Sequence, residues 1–386
     1  MNNSKTVKLY DIDSHIMSFE ATVLECREVS GGYEIILDRT AFFPEGGGQA
    51  SDTGSIGDAE VFDTQLSGKD IVHKARTPLE IGRTYRCEIE AEKRFRRMQN
   101  HSGEHIVSGL VHRYFGYDNT GFHMGHDDVT LDFNGTFTEA DIRKIEFLAN
   151  KAVAENTAVS ISYPTEEELK TLEYRSKLDL TEDVRIVTIE NYDVCACCAP
   201  HVKRTGEIGI IKLFDFVKNR DGTRIHMLCG FDALDDYNAR HRLMSDIAQS
   251  FSTGQMQIGE SIKHLEDDIA ALKQRNYDLR QELLAYKTAA LRETDGNICI
   301  FEEDLLQNDM RKLMNEASKK CKGVCAVFSG NDNKGYSFVA SSIGGKMRDV
   351  LSDMKEKLNI KGGGSDEMIQ GSIIATADEI REYFNV

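Results

Sequence analysis

The sequence has no tryptophan and only four prolines in 386 residues, and basic residues are outnumbered. Long apolar runs are absent too: no stretch approaches the roughly 20 apolar residues of a membrane-spanning helix, so we expect no membrane contact. The N-terminal segment lacks the apolar centre of a signal peptide, which predicts a cytoplasmic protein. The 47 lysines and arginines against 64 acidic residues leave a net charge of −17. Any nucleic-acid site must therefore be a local basic patch.

The overall composition, with 40% hydrophobic and 29% charged residues, is typical of a folded protein. The length predicts two to three domains. Nine cysteines, an odd number, include three crowded at Cys195, Cys197 and Cys198. In a reducing compartment such thiols serve metal binding or catalysis more often than disulfides. The cysteines therefore favour a metal site.

The pattern of apolar and turn residues predicts an α+β protein in four parts. Short alternating strands indicate a β-rich N-terminal subdomain over residues 1–90. Mixed helical and strand patterns indicate an α+β domain over 91–232. A proline-free helical run follows over 233–293, and alternating strands and helices indicate an α/β domain over 294–386.

The helical run carries a heptad repeat. Its a and d positions alternate spacings of three and four: Ile262, Leu265, Ile269, Leu272, Asn276, Leu279, Leu283, Tyr286 and Ala290. Asn276 falls at an a position, where a buried amide pair favours two parallel strands in one register. We therefore predict a homodimer formed through the 233–293 helix as a coiled coil. The alternative is a helix that folds back on its own chain.

The strongest set of candidate ligands combines two short motifs. His101 and His105 are four residues apart on a predicted helix, so both imidazoles can reach one ion. Cys197 and His201 form a Cys-x3-His pair. Mixed nitrogen and thiolate ligands favour zinc. Alternatives stay open, because such a histidine pair also occurs on solvated helices, and Cys195 with Cys198 forms a rival Cys-x2-Cys pair.

Three separated motifs occur in a recognisable order: Pro44–Gly54, an arginine-rich lead into His101–His105, and Cys197–Gly209. Together they resemble the editing domain of alanyl-tRNA synthetase and its freestanding AlaX relatives. The glycine-rich Lys361–Ser365 segment resembles the synthetase's C-terminal domain of the DHHA1 type. The chain is thus similar to a long-form AlaX protein over nearly its whole length.

This resemblance implies that residues 91–232 form a zinc-binding editing domain. The implied Zn²⁺ ligands are His101, His105, Cys197 and His201. The implied activity is that of a trans-editing aminoacyl-tRNA deacylase, which hydrolyses the ester between alanine tRNA and a wrong amino acid, chiefly serine and less so glycine. We find no residues that match the aminoacylation core of a class II synthetase within the 386 residues, so we expect no tRNA charging.

Candidate pocket residues lie beside these ligands. Gly46, Gly47 and Gly48 can bring backbone N–H groups close to the substrate's carbonyl or terminal ribose, although a tight turn is the alternative. By resemblance Gln49 belongs to the editing pocket, where its amide offers a donor and an acceptor. Glu104 lies between the two histidines and is a candidate general base; the alternative is a solvated or outer carboxylate.

Candidate contacts to tRNA are basic or glycine-rich. Arg94, Arg96 and Arg97 could meet the acceptor-end phosphates, although a charged run on a helix is usually only solvated. By resemblance the tail contributes Lys361, Gly362, Gly363 and Gly364 to tRNA binding. The last domain is also locally basic, through Lys319, Lys320, Lys322, Lys346, Arg348 and Lys361. The alternative function is a non-catalytic, zinc-stabilised dimeric module that binds tRNA.

Overall fold

The computed structural model describes residues 6–125, 128–176 and 184–386. Contacts within the chain divide it into two compact units, the first ending at Asp246 and the second running from Ile247 to Val386. Both units mix helices and strands, which confirms the predicted α+β class. The finer division into four parts stays a prediction.

A closed barrel forms the N-terminal half of the first unit. The described elements of this half of the unit are β1 (Val7–Lys8), α1 (Leu9–Ile12), β2 (Ser18–Val29), β3 (Gly32–Leu37), β4 (Arg39–Thr40), β5 (Gly54–Ile56), β6 (Ala59–Ser67), β7 (Asp70–Ala75) and β8 (Thr84–Ile89). Six strands close the barrel in the order β2-β3-β7-β6-β5-β8. Alternate residues of these strands, among them Val23, Ile35 and Leu37, point inward and are fully buried.

The second half of this unit surrounds one long helix. The described elements are α2 (Ala91–Phe115), β9 (Asn119–Met124), β10 (Val129–Phe133), α3 (Glu139–Glu155), β11 (Val159–Ser162), α4 (Glu166–Leu169), β12 (Ile186–Ile189), β13 (Asp193–Ala196), β14 (Ile211–Asn219) and β15 (Gly222–Cys229). One sheet has the order β14-β15-β10-β9 and another β11-β12-β13. Every residue of α2 from 98 to 111 is buried, so its polar side chains in that stretch must find partners inside the protein.

The helical run predicted as one helix over 233–293 forms two. They are α5 (Gly230–Ser250), which crosses the boundary between the units, and α6 (Ile258–Ala290). Ser252 takes a left-handed φ of 51°, and the Thr253 N–H bonds back to the Ala248 carbonyl, which ends α5. The predicted heptads lie entirely in α6. No helix in the described ranges is long and apolar enough to cross a membrane.

The rest of the second unit is a five-stranded sheet with helices. Its elements are β16 (Ile298–Glu302), α7 (Gln307–Ala317), β17 (Val324–Asn331), β18 (Gly335–Ser342), α8 (Met347–Lys357), β19 (Ile360–Gly364), β20 (Met368–Ile373) and α9 (Ala377–Phe384). The sheet order is β16-β17-β18-β20-β19. The glycine-rich strand β19 therefore lies at one edge of the sheet.

A buried ion pair joins the barrel to α2. Arg94, in the first turn of α2, is fully buried and donates to the carboxylate of Asp52 and to the carbonyls of Ser14 and Ala41. The same carboxylate accepts the Phe43 N–H at 2.7 Å. Removing one partner of such a pair costs about 3–5 kcal/mol, because the other charge stays buried. The loop between Phe43 and Asp52, which contains the glycine motif, is thus held against α2.

A neutral histidine lies inside the barrel. His73 is fully buried, and its Nδ1 lies 3.1 Å from the Ile35 carbonyl. Nδ1 must therefore carry the hydrogen, and Nε2 accepts from the Thr40 hydroxyl at 2.8 Å. Burial lowers the pKa of His73 to about 4. The barrel therefore contains an imidazole that folding keeps uncharged.

We predict that the barrel loses stability as the pH falls from about 6.5 to about 4. In this window the unfolded chain binds a proton at His73 that the folded chain does not, so unfolding is favoured as the pH falls. The full effect at low pH is about 3 kcal/mol. Urea unfolding between pH 4 and 7 should show a smaller pH dependence in His73→Asn. An identical pH dependence in the two proteins would contradict this prediction.

Candidate metal centre

The four predicted ligands come together in the structure. His101 and His105 project from the same side of α2, and Cys197 and His201 lie on the loop that follows β13. The Cys197 Sγ lies 3.5 Å from His101 Nε2 and 3.4 Å from His201 Nε2. One possible ligand atom from each of the four residues lies within 4.8 Å of the others. The spacing argument for the two motifs therefore describes one site.

Each of the three histidines has, at Nδ1, a hydrogen-bond partner that is able to accept. The pairs are His101 with Gln49 Oε1 (2.9 Å), His105 with Asp193 Oδ2 (2.8 Å) and His201 with Ser102 Oγ (3.1 Å). An imidazole that donates from Nδ1 keeps the lone pair of Nε2 free for a metal ion. The donor set, with three imidazole nitrogens and one sulfur converging, fits a metal ion of the zinc type.

The electrostatics of the site favour a thiolate at Cys197. Burial alone would raise the pKa of this thiol, but electrostatic attraction led by His101, together with hydrogen bonds from His101 and His105 to the sulfur, outweighs burial and holds the pKa well below 9.0. Burial lowers the pKa of His201 to about 3, which keeps that imidazole uncharged. A deprotonated sulfur and a neutral imidazole are the forms that bind metal.

Cys197, rather than its neighbours, is the cysteine that faces the three histidines. Cys195 lies beside His105 and Asp193 in a second group of possible ligands. Burial raises the pKa of Cys195 to about 11, so this thiol stays protonated. The Cys198 Sγ lies at the glycine loop, 4.0 Å from where a Cβ on Gly47 would be. The rival Cys-x2-Cys pair therefore does not form a joint site with the histidines.

The glycine motif forms a tight turn next to the ligands. Gly46 and Gln49 exchange two backbone hydrogen bonds of 3.0 Å. Gly47 and Gly48 have φ of 60° and 82°, and a Cβ at Gly48 would lie 2.7 Å from the backbone oxygen and the ring of Phe122. The glycines thus form a tight turn, and the same turn lies next to the candidate ligands, so the two predicted roles of these glycines do not exclude each other.

Gln49 is fixed at one end only. Its Oε1 accepts from His101, and its Nε2 is buried with no hydrogen-bond partner among the described residues. The whole side chain is 1% exposed. An unpaired buried amide donor costs about 1–3 kcal/mol. Gln49 therefore offers a donor that a bound molecule could satisfy.

Glu104 is buried, which excludes the solvated alternative. Ser108 Oγ and Asn119 Nδ2 donate to Glu104 Oε1 at 2.7 and 2.8 Å. Its other oxygen, Oε2, lies 3.8 Å from His105 Nε2. The carboxylate is thus held next to the nitrogen that faces the ligand set.

The three arginines before His101 mostly bind the protein itself. Arg94 is buried, and its guanidinium binds Asp52 and backbone carbonyls, so it is not accessible to the phosphate that the sequence predicted it to contact. Arg97 donates to the Ser51 carbonyl at 2.6 Å. Arg96 is partly exposed and contacts three carboxylates, those of Glu92, Asp232 and Asp235.

The predicted tail residues lie in the second unit, on strand β19. Lys361, Gly363 and Gly364 are exposed, and Gly362 is half-buried. A Cβ at Gly362 would lie 2.5 Å from the Gln370 carbonyl, so glycine is required for this close strand pairing. Of the predicted basic residues, Lys319 pairs with Glu316 and Lys322 with Asp295.

Sequence reasoning missed the partners that orient the ligands. Ser102 lies inside the His-x3-His motif, but its bond to His201 depends on the approach of a distant loop. Asp193 lies four residues before Cys197, and Arg175 donates to both of its oxygens. Burial favours protonation of Asp193, but His105 and Arg175 outweigh burial and lower its pKa. Only the polar character of these buried positions could have indicated them.

Two protein-family models match the chain. The family described as "Threonyl and Alanyl tRNA synthetase second additional domain" matches residues 184–225, which include the Cys197–His201 loop. The family described as "tRNA synthetases class II (A)" matches residues 3–93, which include the barrel. Each match therefore covers a part of the chain that contributes to the candidate centre.

Curated relatives match over most of the chain. It is 29% identical to the alanyl-tRNA editing protein AlaX-L of Pyrococcus horikoshii, over 97% of this chain and 96% of that protein. It is 24% identical to an alanyl-tRNA editing protein of Rattus norvegicus, over 93% and 92% of the two chains. It is 28% identical to the alanine–tRNA ligase of Pyrococcus abyssi over 96% of its own length, but spans only 42% of that enzyme. The resemblance predicted from the motifs is confirmed.

We predict one zinc ion per chain, bound by the three histidines and Cys197. Cys197→Ala should lose the metal, because it removes the sulfur that faces the imidazoles. Cys195→Ala, the matched control two residues away, should retain it. Zinc content of the purified proteins, measured by atomic emission, checks both. The assignment would be reversed if Cys195→Ala emptied the site and Cys197→Ala left it full.

Proposed function

Because the chain resembles AlaX-type alanyl-tRNA editing proteins over nearly its whole length, we propose that it is a trans-editing hydrolase. Its proposed substrate is alanine tRNA carrying a wrong amino acid, serine first and glycine less so, and its proposed place of action is the cytoplasm. The observation that carries the proposal is the convergence of three imidazoles and one thiol beside the glycine turn and Gln49.

The proposed cofactor is zinc, held by His101, His105, Cys197 and His201. When bound, zinc would act as a Lewis acid toward the aminoacyl ester carbonyl. The protein's own contribution is orientation: Gln49, Asp193 and Ser102 fix the three imidazole rings from behind. These partners come from three separate segments, so the site is held rigidly before a substrate arrives.

Gln49 is the residue proposed to recognise serine. Its Nε2 is buried without a protein partner, and the hydroxyl of a seryl ester can accept from it. An alanyl ester has only a methyl group, which leaves the buried donor unsatisfied and penalises the correctly charged tRNA. A glycyl ester also lacks the hydroxyl, so the same argument makes it the lesser substrate.

The glycine turn supplies further donors. The backbone N–H groups of Gly47 and Gly48 make no hydrogen bond to any described residue. They lie on the loop that also presents Gln49, and neither carries a side chain that would block approach. They are proposed to bind the substrate's carbonyl oxygen or terminal ribose.

Glu104 is proposed to act on the attacking water. Ser108 and Asn119 hold one oxygen of its carboxylate, and the other faces the His105 Nε2 side of the ligand set. A carboxylate in this position can orient a water molecule and accept its proton. Hydrolysis then adds water to the ester carbonyl and releases the free amino acid and the tRNA hydroxyl.

Contacts to the tRNA body are proposed for the second unit. Lys361, Gly363 and Gly364 are exposed on the edge strand β19, and Lys346 and Arg348 lie in the segment that begins α8. The Met347 N–H bonds to the Asp366 carbonyl, so this segment lies next to the end of β19. Lysine and arginine contribute phosphate contacts that are independent of sequence. Arg96 and Arg97 stay candidates for the acceptor end.

A specific observation also supports the second candidate function, a non-catalytic zinc-stabilised module that binds tRNA as a dimer. Four protein ligands complete a tetrahedral zinc site, which is the arrangement of structural zinc. In this alternative Gln49 and Asp193 serve only to hold the ligands. The two functions differ in one measurable respect, release of the amino acid.

The homodimer is proposed through the heptad face of α6. Tyr277, Gln281 and Leu284 attach α6 to α7 within the unit, and they lie on a different face from the a and d positions. The a and d side chains of the heptads are exposed, with values from 42% to 68% for their large apolar members. An apolar stripe of this length on one helix is typical of a coiled-coil seam.

We predict that the purified protein releases serine from Ser-tRNA(Ala) fastest, glycine more slowly and alanine slowest. Labelled aminoacyl-tRNAs with the alanine tRNA body, followed by the amount of free amino acid, give the three rates. Cys197→Ala should bind the same tRNA without releasing serine. Binding without release by the wild type would favour the non-catalytic module.

Two substitutions of Gln49 separate its two roles in the same assay. Gln49→Glu keeps an oxygen for His101 and removes the Nε2 donor, so zinc content should stay while serine release falls about 5- to 150-fold, or about 1–3 kcal/mol. Gln49→Leu removes both groups and should weaken zinc binding as well. An unchanged serine rate in Gln49→Glu would show that discrimination is made elsewhere.

We predict that the protein sediments as a dimer at micromolar concentration and that Asn276→Leu raises its thermal stability while loosening its oligomeric state. Replacing a buried amide pair with leucine increases apolar contact but removes the choice of register. Gln274→Leu, two residues away and outside the a and d positions, is the matched control and should change neither property. A wild-type monomer would contradict the proposed seam.

A further inference from the structure

One of the three histidine partners is an ion, and it is itself held in place. Asp193 begins β13, and its side chain is only 1% exposed. One oxygen, Oδ2, accepts from His105 Nδ1 at 2.8 Å. The other two partners, Gln49 and Ser102, are uncharged. His105 is thus the ligand with the strongest outer hydrogen bond, because a carboxylate acceptor strengthens such bonds.

Arg175 holds this carboxylate from the opposite side. Its Nε donates to Asp193 Oδ1 at 2.7 Å and its Nη2 to Asp193 Oδ2 at 2.8 Å. The Arg175 backbone is fixed as well, because its N–H bonds to the Val194 carbonyl and its carbonyl accepts from the Ala196 N–H. The fork therefore approaches Asp193 from a segment pinned alongside β13, and the Arg175 side chain is only 15% exposed.

We propose that Arg175 and Asp193 are positioning residues that set His105 for metal binding, an inference that rests on the proposed metal site. The guanidinium fixes the carboxylate, the carboxylate fixes Nδ1–H and the rotation of the ring, and Nε2 is left facing Cys197. None of the motifs that carry the family resemblance contains Arg175 or Asp193. The role arises from the packing of three separate segments around α2.

The same pair argues against a metal ion at the second group of possible ligands. His105, Asp193 and Cys195 lie close enough together to hold an ion. Both Asp193 oxygens, however, accept hydrogen bonds from the guanidinium, and a cation there would face the positive charge of Arg175. Arg175 therefore keeps Asp193 as an outer partner and directs the metal ion to the Nε2 side of His105.

The test measures zinc affinity in the full-length protein, by competition with a chromophoric chelator at fixed pH. Asp193→Asn keeps the size of the side chain but sets an amide N–H₂ against the guanidinium, and Arg175→Lys keeps the charge but loses the fork. We expect about 10- to 100-fold weaker zinc binding in Asp193→Asn, the usual loss for an outer partner of a ligand histidine. Arg175→Lys should lie between this variant and the wild type. The double variant should resemble Asp193→Asn, because Arg175 acts through Asp193.

The chain offers a control for the loss of a forked arginine–aspartate pair, one that is more exposed, at 41% and 23% against 15% and 1% for Arg175 and Asp193. Arg224 donates to both oxygens of Asp132 at 2.7 Å in the same forked geometry, on the sheet of β15 and β10, and neither residue is among the candidate metal ligands or their Nδ1 partners. Asp132→Asn and Arg224→Lys should leave zinc affinity unchanged. A loss in these variants equal to that in Asp193→Asn would show that general destabilisation, and not positioning, weakens binding, and would overturn the inference.

The absorption spectrum of the cobalt(II)-loaded protein gives a readout that stability alone does not move. The wild type should show a tetrahedral spectrum with thiolate charge transfer, and Asp193→Asn should keep the thiolate band while the d–d bands change, because one imidazole is misplaced. If Asp193→Asn does not fold, Arg175→Lys should show the same change in smaller degree. If the wild type binds zinc and the folded variants show unchanged zinc affinity and cobalt spectra, the positioning role is wrong, but the proposed metal site is not. A wild type that takes up no metal overturns the proposed metal site as well.

Discussion

The candidate centre depends on one buried ion pair, that between Arg94 and Asp52. Arg94 lies in the first turn of the helix that carries both candidate ligand histidines, and Asp52 ends the loop that carries the glycine turn and Gln49. Both residues are buried, so removing one of them would leave the other charge unpaired and out of contact with water. The pair therefore stabilises the contact between the barrel and the helix. The Gln49 amide reaches His101 because this contact sets the distance between the two parts.

A single helix then organises the rest of the site. The stretch 98–111 of α2 is buried on all sides, which is unusual for a segment that contains asparagine, two histidines, two serines and a glutamate. Each of these groups must find a partner within the protein. His101, Ser102 and His105 find theirs on the glycine loop, the Cys197–His201 loop and β13, so the polar side chains of one helix bring together segments that are far apart in the chain.

Preorganisation and specificity come from the same arrangement. The ring of each candidate ligand histidine has a hydrogen-bond partner at Nδ1, and His105 has the charged one, Asp193, which Arg175 holds in turn. Gln49 has a second function available, because only one end of its amide is satisfied inside the protein. The candidate ligand set beside one unsatisfied donor is the arrangement on which the proposed discrimination between a hydroxyl and a methyl group depends.

The sequence by itself indicated the class of the fold, the four candidate ligand residues and the resemblance to alanyl-tRNA editing proteins, because these depend on local spacing and short motifs: His101 and His105 share a helix face at any place in a fold. Tertiary structure decided the rest. The burial of Arg94, the approach of the two ligand motifs to each other and the partners Asp193, Arg175 and Ser102 follow from contacts between residues up to 99 positions apart, which no local pattern encodes. The break between α5 and α6 was likewise visible only in the structure. The residue with the left-handed backbone there is Ser252, whereas the residue type that signals such a turn in a sequence is glycine.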